Sequence, residues 1–295
     1  MLKNKGIIAI AGCIAAAAMS VCMLVSCSGD KKESSSKRAA DMLEPTEATE
    51  PAEPEYPTLE SFSEEPRGLT GLSRYLLTQN KDVVGYMKLS NTKVDYPVVQ
   101  WPDSNDDDNG NAYYLDKDLY GNYLDSGTLF LDYRANYDGD PLEHSDHLCV
   151  YGHNMRSGAM FGNLKKYYQD ESFYDENPII EFSSNYKDYQ YIIIAYFVTS
   201  GEWDADFRYW DIVNFETEDD YNYFIDTIES KTQRNTDVDV QYGDKFLTLS
   251  TCHLDVDNSR FLVVARRLRD DETPEKIDKK SSESDESQDS ETAGE

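Results

Sequence analysis

A chain of 295 residues allows one or two domains, and its 28 Lys and Arg against 57 Asp and Glu leave a formal charge of −29. Such a charge repels nucleic acid and anionic headgroups, which counts against a nucleic-acid partner and makes the acidity a matter of solubility at a surface. Of the five cysteines, three (Cys13, Cys22, Cys27) lie in or just after an apolar N-terminal run, and only Cys149 and Cys252 remain for a folded part, too few for a disulfide framework.

In chain order, Lys3 and Lys5 precede an uncharged apolar run over 6–26 that is long enough to cross a bilayer. Residues 1–27 therefore read as a signal anchor or as a lipoprotein signal peptide, since Leu24-Val25-Ser26-Cys27 resembles a lipobox in which Cys27 would carry the lipid. Either alternative tethers the rest of the chain to the outer face of a membrane. Residues 28–65 are rich in Ser, Glu, Pro, Thr and Ala and read as a disordered stalk, because they offer too little apolar surface to offset the entropy of ordering. Residues 66–269 read as one folded domain, and 270–295 as a disordered acidic tail. Within the domain, apolar and β-branched runs at 83–89, 94–99, 128–133, 147–151, 189–199, 245–250 and 260–266 predict short strands. A short helix is expected over 72–78 and a longer one over 218–230, where Tyr221, Phe224, Ile225 and Ile228 share one face and Thr217 with Asp220 forms the start signal. The pattern is mainly β, a barrel or a sandwich.

The chemistry concentrates near the strand ends. Cys252 follows the apolar strand Phe246-Leu247-Thr248-Leu249, at a place where side chains meet solvent. A thiol is a weak nucleophile until ionised, with a free pKa of about 8.5, so it needs a neighbouring base or cation. His153 follows the strand at 147–151, with Gly152 expected to permit a sharp turn that projects the imidazole. Arg260 opens the strand after Cys252, across the acidic turn 255–258, and a hairpin there would return its guanidinium to the thiol, where it could hold a carbonyl or stabilise an oxyanion. The plain alternatives are a buried cysteine, an ordinary loop histidine and an arginine paired with Asp255 or Asp257.

The segments Tyr151-Gly152-His153-Asn154-Met155 and Thr248-Leu249-Ser250-Thr251-Cys252, followed by Arg260, resemble a sortase of class B. Asp82-Val83-Val84-Gly85-Tyr86, Asp95-Tyr96-Pro97-Val98-Val99-Gln100, Ala112-Tyr113-Tyr114-Leu115 and Leu131-Asp132-Tyr133-Arg134 fit the same family in order, and the likeness spans 70–268. It implies an eight-stranded β-barrel with an N-terminal helix and a helix before the seventh strand. It also implies a membrane-tethered transpeptidase of a Gram-positive bacterium, its catalytic domain extracellular, working without a cofactor. Cys252 would attack the Thr carbonyl of a C-terminal sorting signal to form a thioacyl enzyme. His153 would protonate the leaving amine, Arg260 would orient the substrate and stabilise the tetrahedral intermediate, and Ser250 would lie near the substrate. The acyl group would pass to an amine of a cell-wall precursor or of a pilin. The lipobox at Cys27, the long acidic loop 102–111 and the acidic tail depart from the family's pattern.

Other readings compete. The loop near Asp106 sets Asn105, Asp107, Asn109, Gly110 and Asp116 near the spacing of a calcium loop, but its first ligand is Asn, its last is Asp, and no helix pair flanks it, so a solvated turn is preferred. His144, His147, Cys149 and His153 match no zinc spacing: the strand would put His147, Cys149 and Tyr151 on one face and leave Cys149 in the core. No metal site is therefore expected. An extracellular cysteine protease would share the Cys/His pair but needs an orienting residue that Asn154, adjacent to the His, is badly placed to supply. A non-enzymatic surface-binding lipoprotein with an incidental thiol is the remaining alternative.

Overall fold

The computed structural model describes residues 69–101, 110–137, 141–253 and 257–274. The N-terminal apolar segment with Cys27, the stalk, the loop carrying Asn105, Asp106, Asp107 and Asn109, the turn residue Asp255 and most of the acidic tail lie outside them.

Helix α1 (Gly71–Gln79) starts at Thr70, whose hydroxyl accepts the Ser73 amide at 3.1 Å. Eight strands follow: β1 (Val83–Leu89), β2 (Asp95–Val99), β3 (Leu129–Leu131), β4 (His147–Tyr151), β5 (Ile179–Ser184), β6 (Gln190–Ser200), β7 (Phe246–Cys252) and β8 (Ser259–Arg267). They close into a barrel in the order β1-β2-β3-β4-β7-β8-β6-β5. The β2/β3 and β4/β7 pairs are parallel and the others antiparallel. Short helices α2 (Lys166–Gln169) and α3 (Phe173–Glu176) lie between β4 and β5, and α4 (Glu218–Lys231) precedes β7.

The alternation of strand side chains sorts the two faces. Leu148, Val150, Leu247, Leu249, Val263 and Ala265 point into the barrel interior, which is a packed core. Cys149, Phe246, Leu262 and Val264 point outward into a second cluster beneath Phe224, Ile225 and Ile228 of α4. The Thr217–Asp220 start signal is a full capping box, so α4 begins where its sequence predicts. A third cluster seats Leu72 and Leu76 of α1 on Val83, Tyr86, Val99 and Phe130.

Three expectations need correction. Strand β5 was not among the predicted strands. Strand β7 runs to Cys252, so the thiol belongs to the last ladder residue and not to a loop beyond Ser250. The acidic tail begins later than composition suggests: residues 270–274 are described, and Glu272 is bonded to Arg266 at 2.6 and 3.0 Å.

Candidate active site

Cys252 is the exposed end of β7 and takes part in no disulfide. Its cross-strand partner on β8 is Arg260, which in turn pairs with Thr199 on β6. The hairpin that the sequence predicts is therefore formed, and Cys252 and Arg260 share the outward face of the barrel with Ser250, Leu262 and Val264. The guanidinium is packed into place by main chain. Its Nη1 donates to the Ser259 carbonyl at 3.0 Å. A Cβ on Gly201 would lie 2.9 Å from Arg260 Cζ, so the glycine makes room for the arginine. Gly201 donates to the Asn258 carbonyl at 2.7 Å, and Asn258 Nδ2 donates to Glu202 at 2.6 Å, which joins the loops on either side of Arg260.

Strand β4 runs parallel to β7 with Tyr151 opposite Ser250, so the residues after β4 run on beside Cys252. Three hydrogen bonds continue that alignment past the strand end. The Gly152 amide donates to Ser250 O at 3.2 Å, Thr251 Oγ1 donates to Gly152 O at 2.7 Å, and Asn154 Nδ2 donates to Cys252 O at 2.8 Å. His153 is thus fixed between two residues that are both tied to the end of β7. The role expected for Gly152 changes: it does not adopt a left-handed conformation, and what requires glycine is contact, since a Cβ there would meet Leu129 at 2.4 Å and Phe161 at 2.8 Å. The His153 ring is half-buried, and its Nε2 lies 2.8 Å from the Leu115 carbonyl. A carbonyl only accepts, so Nε2 is the protonated nitrogen and Nδ1 is left for proton exchange.

Below these groups lies Ser250, only 2 % exposed, its hydroxyl 2.8 Å from Tyr209 OH. Burial raises the Tyr209 pKa, and its hydroxyl is within electrostatic reach of Arg260 and Cys252. The two cysteines thus differ in environment: Cys149 is buried on the outward face and burial pushes its thiol up, whereas Cys252 is exposed beside a guanidinium.

The 3₁₀ turn Tyr209–Asp211, within the connection from β6 to α4, is held from several sides. Arg134 donates to Asp211 at 3.2 Å and to the Trp210 carbonyl, while also gripping Asp132 at 2.9 and 2.8 Å. Asp132 further accepts from Tyr151 and Asn111, both at 2.9 Å. Burial alone would raise the Asp132 carboxyl, but the Arg134 guanidinium overrides it and holds the group below the usual range. His147 bonds the Ile212 carbonyl through Nδ1 and the Thr248 hydroxyl through Nε2, both at 2.7 Å. With both ring nitrogens engaged, His147 is a structural crosslink. Among the described residues no cluster of His, Cys, Asp and Glu is arranged to hold a metal ion.

Of the site residues read from sequence, the structure brings Cys252, Arg260, Ser250 and His153 to one end of β4, β7 and β8. Sequence reasoning did not single out Tyr209, Gly201, the Asn154 bond to Cys252 or the contact of His153 with Leu115. Asn154 and Leu115 lay inside motifs already singled out, whereas nothing local to Tyr209 or Gly201 marks them.

The fold agrees with the comparisons. A family model described as the sortase domain matches residues 87–268. Sortase B of Staphylococcus aureus is 33 % identical over 193 residues, covering 64 % of this chain and 72 % of that protein. The solved sortase B–substrate complex of Staphylococcus aureus superposes with a TM-score of 0.58 at 29 % identity, covering 69 % of this chain and 88 % of that one. A Bacillus anthracis structure described as similar to sortase B gives 0.58 at 26 % identity, over 70 % and 88 % of the two chains.

Proposed function

The chain belongs to the sortase family and is a cysteine transpeptidase of the sortase B type, and from that premise we propose that it cleaves a C-terminal sorting signal after Thr and passes the protein to an amine outside the cell. The observation that carries this reading is the cross-strand pair of Cys252 and Arg260, with His153 held beside it through Gly152 and Asn154. Cys252 Sγ passes its proton to His153 Nδ1 and attacks the Thr carbonyl carbon. The Arg260 guanidinium faces the developing oxyanion. His153 gives the proton it took from the thiol, now on Nδ1, to the leaving amine as the peptide bond breaks, which leaves a thioester on Cys252. An incoming amine attacks that thioester, His153 Nδ1 takes its proton and returns it to the departing sulfur, and the thiol is released. The acceptor is an amine of a cell-wall precursor or a pilin. Ser250, under the nucleophile, belongs to the floor of the substrate groove.

The N-terminal apolar run supplies the tether, either as an uncleaved anchor or through a lipid on Cys27, and places the domain outside the membrane of a Gram-positive cell. Intact mass of the protein extracted from membranes decides between the two. The protease alternative needs an amide oxygen or carboxylate to take the His153 ring N–H, and that N–H instead meets the Leu115 carbonyl.

The test incubates residues 28–295 with a library of sorting-signal peptides and a panel of amines, read by mass spectrometry. Peptide–amine ligation with a thioester on Cys252 is expected, and Cys252→Ala abolishes both. Hydrolysis with every amine, or turnover retained by Cys252→Ala, overturns the reading.

A further inference from the structure

We propose that the main-chain carbonyl of Leu115 is the orienting group of His153, and that Gly127 is the positioning residue that makes this carbonyl available. The inference rests on His153 as the proton-transfer group and adds what fixes its working nitrogen.

Residues 110–128 of the connection from β2 to β3 contain the 3₁₀ turn Tyr113–Asp116. Its carbonyl at Leu115 accepts from His153 Nε2 at 2.8 Å. A nucleophile–base pair needs the base held by a third group, usually a carboxylate or an amide side chain. Among the described residues, the His153 ring hydrogen-bonds this carbonyl. A neutral acceptor fixes the tautomer without adding charge beside the imidazole, so the proton stays on Nε2 and the lone pair on Nδ1.

The turn is clamped from the strand side. The Thr128 amide donates to Tyr114 O at 3.1 Å, Thr128 Oγ1 donates to Lys117 O at 2.8 Å, and the Leu124 amide donates to Asp116 O at 2.9 Å. The Tyr114 hydroxyl donates to Asp82 at 2.8 Å and anchors the turn to the start of β1. Gly127 closes the clamp at φ +59°, where a Cβ would sit 2.4 Å from Leu115 O, 2.6 Å from Tyr114 O and 2.8 Å from Leu115 C. All three are backbone atoms, so any side chain at 127 must displace the carbonyl that holds His153. Gly121 supplies the control. It also has a positive φ, +82°, but a Cβ there meets nothing within 4 Å. Alanine at 121 imposes the backbone strain alone, and alanine at 127 imposes the strain and moves the carbonyl.

The experiment uses residues 28–295 labelled with ¹⁵N, and reads the His153 ring shifts in long-range ¹H–¹⁵N spectra, assigned with His153→Gln. The wild type is expected to carry the neutral proton on Nε2. In Gly127→Ala the Nδ1–H tautomer grows, and kcat of peptide ligation falls about 10-fold or more, inside the roughly 10²–10⁴-fold that a general acid supplies. KM stays within about twofold, because the orienting carbonyl is aimed at proton transfer and not at binding. Gly121→Ala keeps the wild-type tautomer and kcat. A neutral wild-type His153 protonated on Nδ1 overturns the proposal, as does Gly127→Ala with unchanged tautomer and kcat. If Gly127→Ala fails to fold, Thr128→Val loosens the same clamp by removing only the bond to Lys117, and a shift in the same direction is required of it. Turnover retained by His153→Gln would defeat the proton-transfer role itself, while the tautomer measurement still decides the orientation.

Discussion

Arg260 and His147 show how differently two side chains can be legible. Arg260 was readable because its partner is eight positions away across a hairpin, and antiparallel register puts it opposite Cys252. Arg260→Ala is expected to lower kcat about 10²–10³-fold, the range for loss of one oxyanion donor. Arg260→Lys should recover little, since an ammonium lacks the planar fork that the Gly201 pocket accommodates. Wild-type kcat in the lysine variant would show that charge alone suffices. His147 was read only as one of several scattered metal-ligand candidates, because its partners Ile212 and Thr248 lie far off in sequence. Burial lowers its pKa from the ordinary 6.5 to about 4, so it is neutral in the fold. The unfolded chain takes up a proton as pH falls through 6.5, and the folded chain does so only near 4. Stability from this group is thus complete above pH 6.5 and is lost as pH falls toward 4, in total about 3 kcal/mol. Urea unfolding between pH 7 and pH 4 should show a flatter slope for His147→Gln than for the wild type, and equal slopes would refute the assignment.

At the scale of elements, regular periodicity was visible and tertiary capture was not. Helix α4 announced itself through Tyr221, Phe224, Ile225 and Ile228 and its capping box. Strand β5 did not: it follows an Asn-Pro pair, and its Ile179-Ile180-Glu181-Phe182-Ser183-Ser184 run has neither clean alternation nor a long apolar stretch. It is a strand because β1 and β6 flank it and supply its ladder. The connection from β6 to α4 is the sharper case. Its 3₁₀ turn has no side-chain cap of its own and takes its shape from Ser250, Arg134 and His147 on other elements. Arg134 therefore has two functions, to compensate the buried Asp132 carboxylate and to hold Trp210 and Asp211. Arg134→Met should cost about 3 kcal/mol, the low end for breaking a buried pair, because Arg134 itself is 32 % exposed. Adding Asp132→Asn removes the uncompensated charge and should restore most of that stability without restoring the turn. KM for the peptide should stay raised in the double variant. A double variant with wild-type KM would mean that the grip on Trp210 and Asp211 does not shape the groove.

For the whole molecule, a mainly β chain was evident from the spacing of short apolar runs, but closure was not, because two of the eight ladders are parallel pairs between segments remote in sequence, such as β4 with β7. Nor could composition say where the fold stops. Glu272 looks like part of a solvated acidic tail in a chain of charge −29, yet it lies against Arg266, which is only 1 % exposed. The residues after β8 fold back as a clasp. Arg269 grips Asp244 at 2.9 and 2.8 Å and Asp239 at 2.7 Å, and its amide donates to Glu272 at 2.8 Å. Without Glu272, Arg266 keeps Asp244 at 3.9 Å, outside hydrogen-bonding distance, and a buried guanidinium is left undercompensated. Burial would raise the Glu272 carboxyl, but Arg266 overrides it and holds it below its ordinary 4.5. Its contribution is therefore complete above that value and is lost as pH falls through the lowered folded pKa. Glu272→Gln should destabilise the barrel by about 2–3 kcal/mol at pH 7, and the gap to the wild type should narrow as acid protonates Glu272 in the latter. A chain ending at 269 should lose at least as much, with the ligation site intact below its melting temperature. Equal urea midpoints for chains ending at 269 and 274 would place the clasp outside the cooperative unit and return Glu272 to the tail.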